Sequence, residues 1–231
     1  MNEGRRIVSV FIAPESLFSE HQERPRWWVP FLILLATSAI TAILPRILIS
    51  SEVWIQAISE NLRDNVALNP EYLKTMVEAM RTPVALFLLS ILVVVGQSVV
   101  TFLSTLLLWT AFAVFGKKST YKNVLFVVAY SGLIRAIGMI VVVALAVALQ
   151  QLDISVSLNF LPFIQKGSFL YYLAGKLDLF ALWRTIVAGF GFALVLQSRK
   201  SQSFILTVVC WLLLSLAFAA IPPGLSAVLY W

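Results

Sequence analysis

The segment NVLFVVAYSGLIRAIGMIVVVALAVAL, residues 123–149, decides the fold of the chain. At about 1.5 Å per residue, its roughly 27 residues are enough for a helix that crosses a bilayer. Arg135 lies about 18 Å from its start, and a charge at that depth costs on the order of 2.5–3.5 kcal/mol to insert. Small and polar residues lie near it at helical spacing: Ser131, Gly132, Ala136 and Gly138. We therefore expect this face to pack against other helices, because lipid cannot compensate the guanidinium.

The composition is that of an integral membrane protein. Of 231 residues, 60% are hydrophobic and only 12% are charged, about half the charged share of a soluble domain. One membrane domain over residues 1–231 accounts for this length. The formal net charge of +6 does not indicate nucleic-acid binding, because the basic residues lie in short connections between apolar segments, where membrane topology explains them.

Five apolar segments predict an all-α, polytopic membrane protein with five transmembrane helices. The predicted spans lie at about 29–49, 84–115, 123–149, 178–196 and 203–221. Lysine and arginine are denser in the N-terminal segment and in the connections on its side of the membrane than in the opposite ones. This asymmetry places the N-terminus in the cytoplasm. With five spans, the C-terminus then lies on the extracytoplasmic side of the cell membrane.

The segment before the first span is amphipathic. Residues 1–26 are predicted to be a cytoplasmic segment that forms a helix at the membrane interface, because Phe11 and Phe18 fall on its apolar face. Trp27 and Trp28 follow, and tryptophans are enriched in the aromatic belt of membrane proteins. We expect all four aromatic residues to contact the membrane interface.

The connection between spans one and two, residues 50–83, is predicted to form a hairpin of two amphipathic helices. Asn69, Pro70 and Glu71 supply an N-cap, a first-position proline and a first-turn acid for the second helix. This hairpin should lie on the outer membrane surface or cap the bundle.

A polar stripe and three charged residues define the predicted interior. Gln97 and Thr101 lie on one face of the second span, and such a face turns toward other helices in lipid. Our hypothesis is that Arg135 faces this stripe and reaches Asp178, at the head of the fourth span, directly or through water. A simpler alternative is that carbonyls and hydroxyls satisfy Arg135 and that its role is structural. A second arginine, Arg184, lies inside the fourth span.

Small residues mark the faces where helices can approach closely. Arg184 shares its face of the fourth span with Ala181, Ala188 and Gly191, which let another backbone come near. The residues predicted to mediate helix packing are Gly132, Ala136, Gly138, Gly189 and Gly191. Tight contacts are therefore expected around spans three and four.

No residue constellation in the sequence indicates catalysis or metal binding. One histidine, His21, and one cysteine, Cys210, cannot form a metal site. Residues 116–120 resemble the end of a phosphate-binding loop, but Ala111 stands where its first glycine belongs. Residues 129–132 come near the Gly-x-Ser-Gly of intramembrane serine proteases, which need a base within the membrane. We expect a non-enzymatic protein without a cofactor.

Two stretches of the chain resemble a known family. The first is FIAPESLF, residues 11–18, leading into PRWWVP, residues 25–30; the second is DLFALWR, residues 178–184, followed by GFGF, residues 189–192. With the five-span layout and the cytoplasmic N-terminus, they resemble the bacterial branch of the Yip (Ypt-interacting protein) domain family over nearly the whole chain.

The resemblance implies function only in outline. Eukaryotic relatives are integral membrane factors of early secretory trafficking that associate with prenylated small GTPases and with one another. Some prokaryotic ones look like accessory partners of ABC-type exporters, and no catalytic residue comes with the family. We therefore expect an adaptor or accessory factor for other membrane proteins of transport or trafficking, with an ABC-type exporter or further copies of the chain as partners.

The alternative is a small transporter or channel subunit. In that case Gln97, Thr101 and Arg135 would line a polar path, and their shared face would be hydrated rather than packed. Thiol labelling of cysteines placed at these positions distinguishes the two hypotheses.

Overall fold

The structure is a computed structural model that describes residues 2–19, 26–62, 69–117, 119–152, 154, 156–165 and 167–219. Over these residues the chain is built from helices. In chain order they are α1 Glu3–Ile12, α2 Pro14–Ser19, α3 Trp28–Leu48, α4 Ser51–Leu62, α5 Pro70–Met80, α6 Pro83–Val114, α7 Tyr121–Leu149, α8 Phe169–Ala174, α9 Leu179–Val195 and α10 Lys200–Ala219. One short 3-10 turn, Leu158–Phe160, lies between α7 and α8.

Four of these helices are long and apolar enough to cross a membrane: α3, α6, α7 and α10. A fifth apolar helix, α9, has 17 residues, at the lower limit of about 17–25 residues for a span. The prediction of an all-α membrane protein with several spans is therefore confirmed. The predicted last span runs to residue 221, and its residues 220 and 221 lie outside the described part of the chain.

The two longest helices begin at capping signals in the sequence. The Thr82 hydroxyl accepts a hydrogen bond from the Ala85 N–H at the start of α6, at 3.3 Å. The Thr120 hydroxyl accepts one from the Asn123 N–H at the start of α7, at 3.4 Å. Each threonine thus satisfies a backbone donor that has no partner within the first turn.

The C-terminal ends of α3 and α7 are joined by hydrogen bonds from one side chain. Gln150 ends α7 in the left-handed conformation, with φ of 51°. Its side-chain oxygen accepts a hydrogen bond from the Ser50 N–H at 2.8 Å, and its amide donates to the Leu48 carbonyl at 3.1 Å. The carbonyl and the N–H exposed where α3 ends are therefore both satisfied.

Helix α7 is the centre of the bundle. It contacts α3, α6, α9 and α1, while α9 also packs against α2 and α10, and α10 returns to α6. We call the end that carries α1 and α2 the N-terminal end. The opposite end, with the α4–α5 hairpin and the connection from α7 to α9, is the loop end.

The N-terminal segment differs from its prediction. It forms two helices, α1 and α2, whose residues Val10, Leu17 and Phe18 are buried in the main hydrophobic cluster of the bundle. Phe18 is therefore not a membrane-interface residue, since its ring packs edge-on against Phe126 with the ring centroids 5.9 Å apart. The amphipathic pattern identified an apolar face, but other helices cover that face rather than lipid.

The two tryptophans at the start of α3 take two different positions. Trp28 is exposed, as expected for the aromatic belt. Trp27 packs against Phe102 of α6, with the ring centroids 6.3 Å apart. Residues 20–25, which include His21, lie outside the described residues.

The predicted hairpin between the first two spans is confirmed as α4 and α5. The Asn69 side chain accepts a hydrogen bond from the Glu71 N–H at 3.0 Å, and Pro70 is the first residue of α5. At the end of α5, Arg81 donates to the Ser51 hydroxyl at 2.8 Å. This contact joins the two helices of the hairpin at the loop end of the bundle.

Candidate functional site

A cavity of about 320 Å³ lies inside the bundle. Helices α3, α6, α7, α9 and α10 surround it, and it extends to residues of the α7–α9 connection at the loop end. Five of the six residues predicted to form an intramembrane polar cluster line it: Gln97, Thr101, Arg135, Asp178 and Arg184. The sequence therefore identified side chains from three helices that meet at one site.

The polar stripe of α6 faces this cavity. Gln97 and Thr101 are both buried. The Gln97 amide donates to the Thr101 hydroxyl at 3.1 Å, and that hydroxyl donates to the Gln97 carbonyl at 2.8 Å. The stripe is thus hydrogen-bonded within α6 and turned toward the interior.

Arg135 lines the cavity from α7 and is partly exposed there. Two glycines on α7 bring the neighbouring helices close to it. A Cβ on Gly132 would lie 3.2 Å from Leu34 Cδ2 of α3, and one on Gly138 would lie 2.8 Å from Phe180 Cγ of α9. These close approaches hold α7 between α3 and α9 and direct Arg135 inward.

Asp178 and Arg184 reach the same cavity from α9. Asp178 is the N-cap of this helix, and its carboxylate accepts a hydrogen bond from the Ala181 N–H at 2.7 Å. Arg184 lies roughly 240° further around the helix. Because both residues border the cavity, the cavity extends around the start of α9. A direct or water-mediated contact from Arg135 to Asp178 stays a prediction.

Ser131, the sixth predicted residue, lies at a smaller neighbouring cavity of about 30 Å³. Its hydroxyl donates to the Val128 carbonyl at 3.2 Å. Arg184 borders this cavity as well, together with Thr185 and the buried Cys210. Ser131 is therefore near the polar cluster but does not line the main cavity.

Sequence reasoning missed Lys176 as a member of the site. The α7–α9 connection folds back on itself, with the Leu158 N–H donating to the Leu177 carbonyl at 3.0 Å, and Lys176 lines the main cavity. Burial, and after it the positive charge of Arg135, lowers the pKa of Lys176 to about 8. The only signal in the sequence was its place two residues before the N-cap Asp178.

Aromatic side chains fill the bundle between the cavity and the N-terminal end. Phe112, Tyr130 and Phe192 are almost completely buried, and the rings of Phe112 and Phe192 have centroids 5.0 Å apart. The Tyr130 hydroxyl donates to the Glu3 carboxylate of α1 at 3.0 Å. Packed aromatic rings of the described residues therefore lie between the cavity and the N-terminal end.

A family model, the Yip1 domain, matches residues 8–221 of the chain. The chain belongs to the Yip1 domain family. The match confirms the family resemblance carried by the sequence motifs. No curated protein and no solved structure matches the chain.

The two motif regions of this Yip1 domain pack against each other. Phe11 of α1 lies edge-on to Trp183 of α9, with the ring centroids 6.0 Å apart. The ring of Phe18 lies over Gly191. A Cβ added at position 191 would be 3.0 Å from Phe18 Cε2 and 2.7 Å from Val127 Cγ1. A side chain at position 191 would therefore displace the ring, so the N-terminal and α9 motifs meet at one close packing contact.

The remaining predicted packing residues of the Yip1 domain also lie at helix contacts. A Cβ on Gly189 would be 3.0 Å from Phe204 Cδ1 of α10. Ala136 is buried in α7. Helix α9 thus uses Gly189 to approach α10 and Gly191 to approach α7 and α2.

Proposed function

We propose that this Yip1 domain protein is a non-enzymatic adaptor that binds other integral membrane proteins. In this proposal the N-terminal end faces the cytoplasm and the loop end faces the extracytoplasmic side of the cell membrane, as the distribution of lysine and arginine predicts. The observation that carries the proposal is that α6, with 32 residues, is longer than the roughly 20 residues that a crossing needs and keeps an exposed apolar face over its last turns.

We place the level of the interface along α6 at Phe102, because Trp27 packs against Phe102 and the adjacent Trp28 is exposed as in an aromatic belt. From Pro83 to Phe102 the helix is about 30 Å long, one thickness of the hydrocarbon core. Residues 103–114 therefore extend about 18 Å beyond that level, toward the N-terminal end. We call them the α6 extension.

The α6 extension has one buried face and one exposed apolar face. Phe112 is part of the hydrophobic cluster, whereas Leu103, Leu106 and Val114 are exposed, Val114 by 82%. Lipid tails do not cover apolar surface outside the hydrocarbon core, and contiguous exposed apolar patches mark interaction sites. The occupant that fits is an apolar or amphipathic helix of a partner membrane protein, such as a component of an exporter or a second copy of the chain.

A photo-crosslinking amino acid at Leu106 is expected to form discrete protein adducts in native membranes. The same probe at Phe87 is the matched control, because Phe87 is exposed on the same helix but lies within the part that matches the hydrocarbon core. Mass spectrometry of the Leu106 adduct should identify an integral membrane protein. Equal protein adducts at the two positions, or none at Leu106, would contradict the adaptor proposal.

A small transporter or channel subunit is the second candidate function. The observation that favours it is that Gln97, Thr101 and Arg135 line one cavity, as a polar path requires. A continuous path would also need an opening through the aromatic side chains at Phe112 and Phe192. In the arrangement described here those rings are in contact, so the adaptor remains our first proposal.

A further inference from the structure

Helix α3 locates the two faces of the hydrocarbon core along the bundle. Its 21 residues are about 30 Å long, which is one thickness of that core. Trp28, at the start of α3, is exposed as in an aromatic belt, so Leu48 at its end marks the face at the loop end. Gln150 donates to the Leu48 carbonyl at 3.1 Å. The end of α7 therefore lies at the loop-end face as well.

Helix α9 begins far below the loop-end face. Gly138 of α7 and Phe180 of α9 are in close contact, because a Cβ on Gly138 would lie 2.8 Å from Phe180 Cγ. Along α7, Gly138 is about 18 Å from Gln150. Asp178, the N-cap of α9, therefore lies roughly 15–18 Å inside the core.

The other end of α9 leads to a similar depth. A Cβ on Gly191 would lie 2.7 Å from Val127 Cγ1. Val127 is close to the level at which α3 begins, because Leu34, about 9 Å along α3, would be 3.2 Å from a Cβ on Gly132. From Gly191 to Leu179, α9 is only about 18 Å long. About 12 Å of the roughly 30 Å core is then left between the start of α9 and the loop-end face.

The connection from α7 to α9 occupies this remaining depth. The Leu158 N–H donates to the Leu177 carbonyl at 3.0 Å, and Ser157 forms an antiparallel bridge with Asp178. These contacts place residues 157 and 158 at the depth where α9 begins. Irregular backbone is tolerated at membrane depth only where protein covers it or where it lines a cavity. Ser157 is buried, and both Ser157 and Asp178 line the main cavity.

The outward side of the same region is apolar. Leu158 and Leu179 are exposed and lie outside the lining of the main cavity. Phe169, the first residue of α8, is exposed too. Helix α8 ends at Ala174, close to Leu177, and its six residues rise by no more than about 9 Å, which is less than the depth at which α9 begins. Acyl chains would cover this apolar surface at that depth.

We propose that the connection from α7 to α9 is a re-entrant segment. It enters the hydrocarbon core from the loop end, and Leu158, together with Leu179 at the start of α9, contacts the acyl chains of the leaflet at that end. Its inward side, with Ser157, forms a wall that separates the main cavity from lipid.

Spin-label depth measurements on the full chain in phospholipid vesicles test this proposal. A nitroxide is attached to single cysteines in a Cys210→Ala background, and its collision rates with oxygen and with a water-soluble nickel chelate give its depth. Leu158→Cys and Leu179→Cys are expected at about 12–18 Å below the interface. Ile140→Cys is the reference within the core, because Ile140 is exposed on α7 and lies about 15 Å from Gln150. Gln151→Cys, exposed just beyond α7, is the reference at the interface.

Depths nearer to that of Ile140→Cys than to that of Gln151→Cys at both test positions would support the re-entrant segment. A depth nearer to that of Gln151→Cys at either test position would place the connection at the surface and overturn the proposal. All four side chains are exposed, so their replacement should leave the packing of the bundle nearly unchanged.

Discussion

Replacement of Phe18 by alanine is expected to lower the free energy of unfolding by about 3–5 kcal/mol. Its ring is only 2% exposed, lies edge-on to Phe126, and covers Gly191 of α9. Alanine would leave a cavity where α2, α7 and α9 meet, and three packed helices can collapse into it only in part. Denaturant unfolding in mixed micelles, followed by tryptophan fluorescence, measures the change.

Ile12→Ala is the matched control for Phe18→Ala. Ile12 lies in the same N-terminal segment but is 77% exposed, so its truncation should change the unfolding free energy by no more than about 0.5 kcal/mol. A loss for Phe18→Ala no larger than that of Ile12→Ala would mean that α2 does not dock against the bundle. It would also restore the interpretation of Phe18 as a residue that contacts lipid.

Gly138→Leu is expected to destabilise the protein by about 1–3 kcal/mol through overpacking. The added Cβ alone would lie 2.8 Å from Cγ and 3.0 Å from Cβ of Phe180. These atoms are at the base of the ring, where the side chain cannot move away without moving α9. Phe180 also lines the main cavity, so the substitution should alter the cavity as well as the stability. The same unfolding assay measures the effect.

Ala144→Leu provides the comparison within α7. Ala144 is exposed on the outside of the bundle, so a larger apolar side chain there should leave the unfolding free energy nearly unchanged. If Gly138→Leu were as mild as Ala144→Leu, α7 and α9 would not approach each other as closely as the structure shows.

The sequence predicted most of the fold because hydrophobic runs determine which segments can cross a bilayer. Helical spacing also placed Gln97 and Thr101 on one inward face and put small residues beside Arg135 and Arg184. In lipid, a polar group has few alternatives to facing other helices, so the pattern alone indicated which side chains would meet. The cavity that they enclose could not be foreseen, since empty volume depends on how all the helices pack.

Two features could not be predicted, each for a physical reason. An amphipathic pattern shows that Phe18 lies on an apolar face, but it does not distinguish cover by lipid from cover by protein. Lys176 lies in an irregular connection, where no periodicity relates a residue to a direction in space. Its position depends on the backbone hydrogen bond between Leu158 and Leu177, which no local sequence pattern predicts.

Site-specific thiol labelling tests most directly whether the polar face of α6 borders a hydrated cavity inside the bundle. In a Cys210→Ala background, Thr101→Cys is expected to react with a membrane-impermeant thiol reagent from the loop end only, although Thr101 is just 4% exposed. Val99→Cys should not react, because Val99, 47% exposed on the same helix, faces lipid, where a thiol does not ionise readily. Because Thr101 lines a cavity in the structure, labelling from one side alone does not distinguish a polar path from a closed bundle; reaction of Thr101→Cys from both sides of the membrane would favour a continuous path. Reaction at Val99→Cys with none at Thr101→Cys would contradict the cavity itself.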